Sequence, residues 1–162
     1  MLLQFRTQWW ANRGPGLGDL SFLLSDRKIP VWWTQFPEET ALLTGWFGGP
    51  KTEGLARLDE DQLINAGLGS LADIFQIPAD HLKRDLVAAR AINWGIDPFA
   101  GGAYSYVTLR TREALARLAS GDAGSIYFCG EAFYGGTDMG TVEAALTSGL
   151  ETARSIVGLM PN

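Results

Sequence analysis

The chain has 162 residues, of which 46% are hydrophobic and 19% charged, and its formal net charge at pH 7 is −5. This composition is typical of a globular protein and excludes intrinsic disorder. The acidic balance and the lack of a Lys/Arg-rich run argue against a nucleic-acid partner. No apolar stretch approaches the ~20 residues of a membrane span, and the first residues lack a signal-peptide pattern. The cytoplasm is therefore the expected location.

Cysteine and histidine are too few for the common metal and nucleophile sites. Cys129 is the single cysteine of the sequence and His81 the single histidine, so no internal disulfide, zinc cluster or Cys–His pair is expected. Cys129 follows apolar residues and is predicted to be a small buried hydrophobic residue. His81 is predicted to lie at the surface.

The first part of the chain has the pattern of an antiparallel meander. Short runs rich in aromatic and branched residues recur between turn signals, which favours strands. The predicted strands are 2–6, 19–24, 31–36 and 41–47. The tryptophans predicted to pack in the core are Trp9, Trp10, Trp32, Trp33 and Trp46.

Helical periodicity follows the meander. Asp59 or Glu60 can begin a helix that ends before Pro78, although Gly67 and Gly69 weaken this prediction. Residues 85–93 are consistent with a strand or with a short helix, because periodicity alone does not decide. Residues 111–119 are rich in Ala and Leu and predict a further helix.

The most informative local pattern is a strand, a glycine-dense loop and a helix. Residues 125–129 predict a short apolar strand, and 141–157 predict a helix with one apolar stripe. The start of a helix presents unpaired N–H groups and a partial positive charge, which suit an electron-rich ligand. A glycine-rich turn before a packed helix has equal weight on these grounds. The stripe contains Val142, Ala145, Leu146, Leu150, Ala153 and Val157.

Residue identities add to this pattern. The loop and helix read Cys-Gly-Glu-Ala at 129–132, Gly-Thr-Val-Glu-Ala-Ala at 140–145 and Ser-Gly at 148–149. This order resembles the C-terminal signature of the flavin-containing amine oxidase family, which includes monoamine, polyamine and amino-acid oxidases. The resemblance implies a flavoprotein oxidoreductase.

Three further stretches are similar to the same family. Trp94 followed by Gly-Gly-Ala-Tyr-Ser at 101–105 resembles the family's Trp…Gly-x-Tyr-Ser segment. Residues 31–50 resemble the part of its substrate domain that ends in Leu-x-Gly-Trp-x-Gly-Gly. The opening 2–10 resembles that domain's strand before its Phe/Trp-Trp. The resemblance thus spans nearly the whole chain.

The resemblance implies an α+β fold, a partial amine-oxidase-like fold in two parts. Residues 1–85 would form part of the mixed or antiparallel sheet of the substrate domain. Residues 86–162 would form the C-terminal part of an FAD-binding domain, ending in the strand, loop and helix.

The resemblance also implies a site for FAD. Thr141 and Val142 would offer backbone N–H groups to the pyrimidine edge of the flavin, and Tyr104 would form one wall of an aromatic cage for a small amine or amino-acid substrate. Glu131 would contact FAD through its side chain or through its backbone alone. Ala103 stands where some members carry a cysteine bonded to FAD, so FAD would be held noncovalently. The implied cofactor-binding residues are Trp94, Tyr104, Gly130, Glu131, Gly140, Thr141 and Val142.

One part of the family pattern does not occur in these 162 residues. The dinucleotide fingerprint Gly-x-Gly-x-x-Gly is absent, and the family's flavin-contacting lysine would fall just ahead of Met1. The resemblance implies a component of an FAD-dependent amine or amino-acid oxidase, in which hydride passes from a substrate C–H bond to flavin and oxygen reoxidises the flavin. A second chain carrying the fingerprint is the expected partner, and the isolated chain is expected to be inactive. The alternatives are a self-associating, non-catalytic homo-oligomer and a truncated gene product that does not bind FAD.

Overall fold

The computed structural model describes residues 1–119 and 126–159. The chain divides into two compact units, Met1–Ala103 and Tyr104–Asn162. This division reflects packing, whereas the division expected between residues 85 and 86 reflects family origin. The expected assignment of domains therefore stays a prediction.

The first unit is built on a five-stranded antiparallel sheet, as the α+β prediction requires. Its order is β2-β3-β4-β1-β5, so the three consecutive strands β2, β3 and β4 form the predicted meander. Leu3 of the first strand pairs with Leu43 on one side and with Ala89 on the other. The strands are β1 (Leu2–Phe5), β2 (Phe22–Leu24), β3 (Val31–Trp33), β4 (Leu42–Trp46) and β5 (Leu86–Arg90).

Two α-helices of the first unit, α1 (Glu60–Phe75) and α2 (Ala79–Asp85), lie between β4 and β5 in the chain. A capping box begins α1, because the Asp59 carboxylate accepts from the Gln62 N–H at 2.8 Å and the Gln62 side chain accepts from the Asp59 N–H at 3.1 Å. The predicted helix is confirmed. Two short 3-10 helices are Leu17–Asp19 and Pro50–Leu55.

The core of the first unit lies between the sheet and α1. Trp32 is fully buried there, and Trp10 is 1% exposed, which confirms the predicted core role of these two tryptophans. Gly67 of α1 is buried, and a Cβ at this position would overlap the Met1 sulfur and approach the Trp32 ring. The glycine that weakens the helical periodicity thus permits close packing of helix on sheet.

In the second unit, the structure describes α3 (Thr111–Ala119), a 3-10 helix (Glu131–Phe133) and α4 (Val142–Leu159). Both predicted α-helices are confirmed. Ala144 and Ser148 are the residues through which α4 is buried. The predicted apolar stripe is instead exposed in this unit, with Val142 at 70% and Leu146 at 69%.

The predicted strand 125–129 is wrong for residues 126–129. Ser125 lies outside the described residues, and 126–129 are not a strand. A strand requires a neighbouring ladder of hydrogen bonds, and no described strand pairs with this segment. The prediction that Cys129 is buried is also wrong, because the unpaired segment leaves it exposed. His81 is exposed, as predicted.

No helix in the parts of the chain described above is both long enough and apolar enough to cross a membrane.

Candidate functional site

Three hydrogen bonds converge on the carboxylate of Glu131 in the second unit. One oxygen accepts from the Ser105 N–H at 2.8 Å. The other accepts from the Ser105 hydroxyl at 2.7 Å and from the Gly140 N–H at 2.9 Å. We call this arrangement of Ser105, Glu131 and Gly140 the Glu131 clamp. It joins the segment after residue 103 to both ends of the loop that precedes α4.

The clamp lowers the pKa of Glu131 below its ordinary value. The Ser105 hydroxyl has the largest effect and the Ser105 N–H the next, burial opposes them, and the Gly140 N–H adds to the lowering. Each donor stabilises the charged carboxylate more than the neutral acid. Glu131 is therefore ionised at neutral pH, and its charge is satisfied within the unit.

Tyr104 packs directly on the backbone of Gly140. A Cβ added to Gly140 would lie 3.0 Å from Tyr104 Cδ2, and Gly140 has a φ of +83°. Both the space and the backbone conformation therefore favour glycine. Tyr104 is 56% exposed, so its ring also contributes to the surface beside the start of α4.

The first turn of α4 follows immediately after this contact. The Thr141 hydroxyl accepts from the Ala144 N–H at 3.1 Å and donates to the Asp138 carbonyl at 2.8 Å, so Thr141 caps the helix. The first N–H groups of a helix have no intrahelical acceptor. Val142 and Glu143 are the first two residues of the 18-residue helix α4, and both are exposed.

Gly130, at the opposite end of the loop, has a φ of +129° and nothing within 4 Å of an added Cβ. Its N–H donates to the Ser148 hydroxyl at 3.2 Å, which ties the loop to the buried face of α4. The backbone around Gly130 thus combines a fixed conformation with open space in this unit.

The first unit contains a separate cavity of about 460 Å³. Two segments that resemble the family contribute to its lining. One is Gly45–Gly49, which includes Trp46, and the other comprises Trp94 and Gly101–Ala103. Trp94 is 54% exposed. Trp46 is half-buried at this cavity instead of being enclosed in the core. The sequence does not predict this cavity, because the packing that brings its lining segments together is long-range.

The structure thus places six of the seven predicted cofactor-binding residues around the Glu131 clamp and the start of α4, and Trp94 in the cavity of the first unit. Ser105 belongs to the Gly-Gly-Ala-Tyr-Ser segment, but the sequence does not predict its hydrogen bonds to Glu131. A hydrogen bond between residues 26 positions apart leaves no local signal in the sequence.

Among the described residues, no group of three or more His, Cys, Asp or Glu could hold a metal ion.

Comparison with known proteins identifies the class. The model of the family described as flavin containing amine oxidoreductase matches residues 1–157. The match covers nearly the whole chain, and the chain therefore belongs to the flavin-containing amine oxidoreductase family. A search of curated proteins finds no match. Membership implies amine oxidoreductase-like function and a flavin cofactor at the level of the family.

Proposed function

We propose that this chain is a component of an FAD-dependent oxidase of amines or amino acids and that it holds part of FAD noncovalently. The Glu131 clamp carries the proposal, because in a chain of this family it brings Tyr104, Gly140 and the start of α4 together. FAD, when bound, supplies the hydride acceptor. The residues of this chain would bind part of FAD and orient it.

The start of α4 fits the electron-rich edge of a flavin. Thr141 caps the helix with its side chain, and the exposed N–H groups of the first turn are left to face a ligand. The partial positive charge of the helix start would stabilise negative charge at that edge. Gly130 and Gly140 leave the adjoining backbone free of side chains.

Glu131 acts in this proposal through position rather than by direct side-chain contact. Oε1 accepts from the Ser105 N–H, and Oε2 accepts from the Ser105 hydroxyl and the Gly140 N–H, so the side chain would position the loop and the backbone of residue 131 would contact FAD. Tyr104, held against Gly140, would offer its ring to the substrate. Trp94 lines the cavity of the first unit, and its contact with FAD rests on the family resemblance alone.

The remaining part of the FAD site has to come from outside these 162 residues. The ADP half of FAD is normally held by the Gly-x-Gly-x-x-Gly turn, which the sequence lacks. We propose that a second chain supplies it and that the isolated chain does not turn over substrate.

Co-expression tests this proposal. The partner is sought in the neighbouring reading frames as a chain carrying Gly-x-Gly-x-x-Gly, and each chain is purified alone and together. We expect a flavin absorption spectrum and amine- or amino-acid-dependent peroxide formation only from the pair. Gly140→Ala in the pair should weaken flavin retention, whereas Gly135→Ala, with nothing within 4 Å of the added Cβ, serves as the matched control. Two chains that do not associate, or a pair that carries no flavin, would contradict the proposal.

A second candidate is a self-associating, non-catalytic module. The exposed apolar side chains of α4 favour it, since exposed apolar patches mark interaction surfaces. Leu150 is 53% exposed and Val157 69%, in addition to Val142 and Leu146. Light scattering together with an absorption spectrum separates the two candidates. A stable homodimer that neither carries flavin nor acquires it beside a partner chain would support the module.

A further inference from the structure

The cavity of the first unit is lined by one acidic and one basic side chain, and only the basic one forms an ion pair within the described part of the chain. Glu53 and Arg90 both line it. Arg90 Nη1 lies 3.3 Å from Glu60 Oε2 in an ion pair. No ion pair within the described part of the chain involves Glu53. The negative charge at the cavity is thus available to a ligand, whereas the positive charge of Arg90 is compensated.

Glu60 is held in place by a second contact. Its other carboxylate oxygen accepts from the Ala91 N–H at 3.0 Å, so the first turn of α1 is joined to the end of β5. This bond keeps Glu60 beside Arg90 independently of the ion pair. Glu60 therefore acts as a fixed counter-charge for the cation.

The other polar groups at the cavity also have partners. The Thr52 hydroxyl donates to the Gly49 carbonyl at 2.7 Å. The Asn93 amide donates to the Ala56 carbonyl at 3.2 Å and accepts from the Gly95 N–H at 3.2 Å. The Met1 amino group donates to the Gly45 carbonyl at 2.6 Å, and burial lowers its pKa, which disfavours its charged form.

Two tryptophan side chains also line the cavity. Trp46 and Trp94 both line the cavity, and indole faces attract cations and pack against apolar groups. A carboxylate would instead need an unpaired Arg or a set of free N–H donors. The lining thus favours a cationic ligand over an anionic one.

We propose that this cavity takes a ligand with an apolar body and an ammonium head and disfavours carboxylates, with Glu53 selecting the cation and Glu60 restraining Arg90 from recognising a carboxylate. Glu53 is a specificity-determining residue and Glu60 a positioning residue. This inference goes beyond the proposed function and concerns the first unit alone.

Two probes with the same phenyl ring and opposite charge test the selection. Phenethylammonium and phenylpropionate are titrated separately into the full ¹⁵N-labelled chain without flavin, and the indole N–H resonances of Trp46 and Trp94 are followed by NMR. We expect the ammonium probe to bind about three- to tenfold more tightly. Equal or tighter binding of phenylpropionate, or no shift of either resonance with either probe, would overturn the proposal.

Two variants separate the roles of the acids. Glu53→Gln should reduce the preference for the ammonium probe roughly two- to fivefold. Glu60→Gln keeps an oxygen for the Ala91 N–H but loses the ion pair, and it should tighten phenylpropionate binding by a similar factor of about two to five. Glu39→Gln and Asp61→Asn remove equal charges at exposed positions that do not line the cavity.

Unchanged selectivity in Glu53→Gln would contradict the assignment of that residue, and unchanged phenylpropionate binding in Glu60→Gln would contradict the restraint on Arg90. Because these measurements need neither flavin nor turnover, they can succeed or fail independently of the proposed oxidase function. A chain that prefers the ammonium probe but never carries flavin beside a partner would contradict the proposed function alone.

Discussion

The Ser105 hydroxyl and N–H both donate to the carboxylate of Glu131, at 2.7 and 2.8 Å, although the two residues lie 26 positions apart. The same carboxylate accepts from the Gly140 N–H at 2.9 Å. One charged side chain thus links the Tyr104 segment to the entry of α4. Hydrogen bonds to a charged acceptor are typically the stronger ones in proteins, so this link should dominate the local order of the second unit.

Removal of the carboxylate should loosen both segments. In Glu131→Ala all three donors lose their acceptor, and we expect the protection of the Gly140 amide against hydrogen exchange to fall by about 1–3 kcal/mol. Glu131→Gln should lie between this variant and the unaltered chain, since its amide oxygen still accepts. Glu143→Gln removes an exposed carboxylate from the first turn of α4 and is the control. Unchanged exchange at Gly140 in Glu131→Ala would show that the clamp contributes nothing to local stability.

The clamp should also make the second unit sensitive to acid. The pKa of Glu131 is lowered in the folded protein from an ordinary value of 4.5, first by the Ser105 hydroxyl. A lowered folded pKa contributes stability that is fully present above the unfolded value and is lost as pH falls through the folded value. Protection of the Gly140 amide should therefore hold down to about pH 4.5 and decline below it.

Carboxyl ¹³C titration by NMR measures the pKa of Glu131 directly. Ser105→Ala removes the largest of the lowering contacts and should raise this pKa toward 4.5. Ser21→Ala, at an exposed position of the first unit, is the control. A Glu131 pKa at or above 4.5 in the unaltered chain would contradict the clamp.

The elements that sequence patterns predicted correctly are those specified locally. Asp59 and Gln62, three residues apart, build the capping box that begins α1, and turn signals separate the strands of the meander. The pattern of residues 85–93 does not distinguish a strand from a short helix, because a short apolar run suits either structure. Pairing of β5 with β1, from Leu2 with Arg90 to Phe5 with Leu86, is the long-range interaction that makes it a strand.

The features that local patterns missed depend on distant partners. Residues 126–129 have the composition of a strand, but no described neighbour pairs with them, so Cys129 is exposed. The sequence pattern does not predict the Glu131 clamp either. It shows a glutamate within a motif but does not identify Ser105 and Gly140 as its hydrogen-bond donors. The family resemblance identified the residues of the candidate site, whereas their mutual contacts required the fold.

Substitution of Gly140 tests the entry to α4. Gly140→Ala forces a side chain into a φ of +83° and places its Cβ 3.0 Å from Tyr104 Cδ2, and we expect a loss of about 1–3 kcal/mol in stability. Chemical denaturation and the Tyr104 ring resonances in NMR report the loss and its location. Gly149→Ala, in the interior of α4 with open space around the added Cβ, should instead stabilise the helix by roughly 0.5–1 kcal/mol. The assigned packing would be wrong if the two variants behaved alike.

Two glycines of α1 provide the sharpest test of the packing of the first unit. A Cβ at Gly69 meets nothing within 4 Å, whereas one at Gly67 would overlap the Met1 sulfur and lie 3.2 Å from the Trp32 ring. Gly69→Ala should raise the free energy of unfolding by about 0.5–1 kcal/mol, because alanine loses less backbone entropy in a helix. Gly67→Ala should lower it by about 1 kcal/mol, because the buried Trp32 ring cannot move aside as the flexible Met1 side chain can, and this overpacking outweighs the same gain. Urea denaturation followed by tryptophan fluorescence measures both, and each variant is the control for the other. Stabilisation by Gly67→Ala would show that α1 does not pack on Met1 and Trp32 as the structure places it.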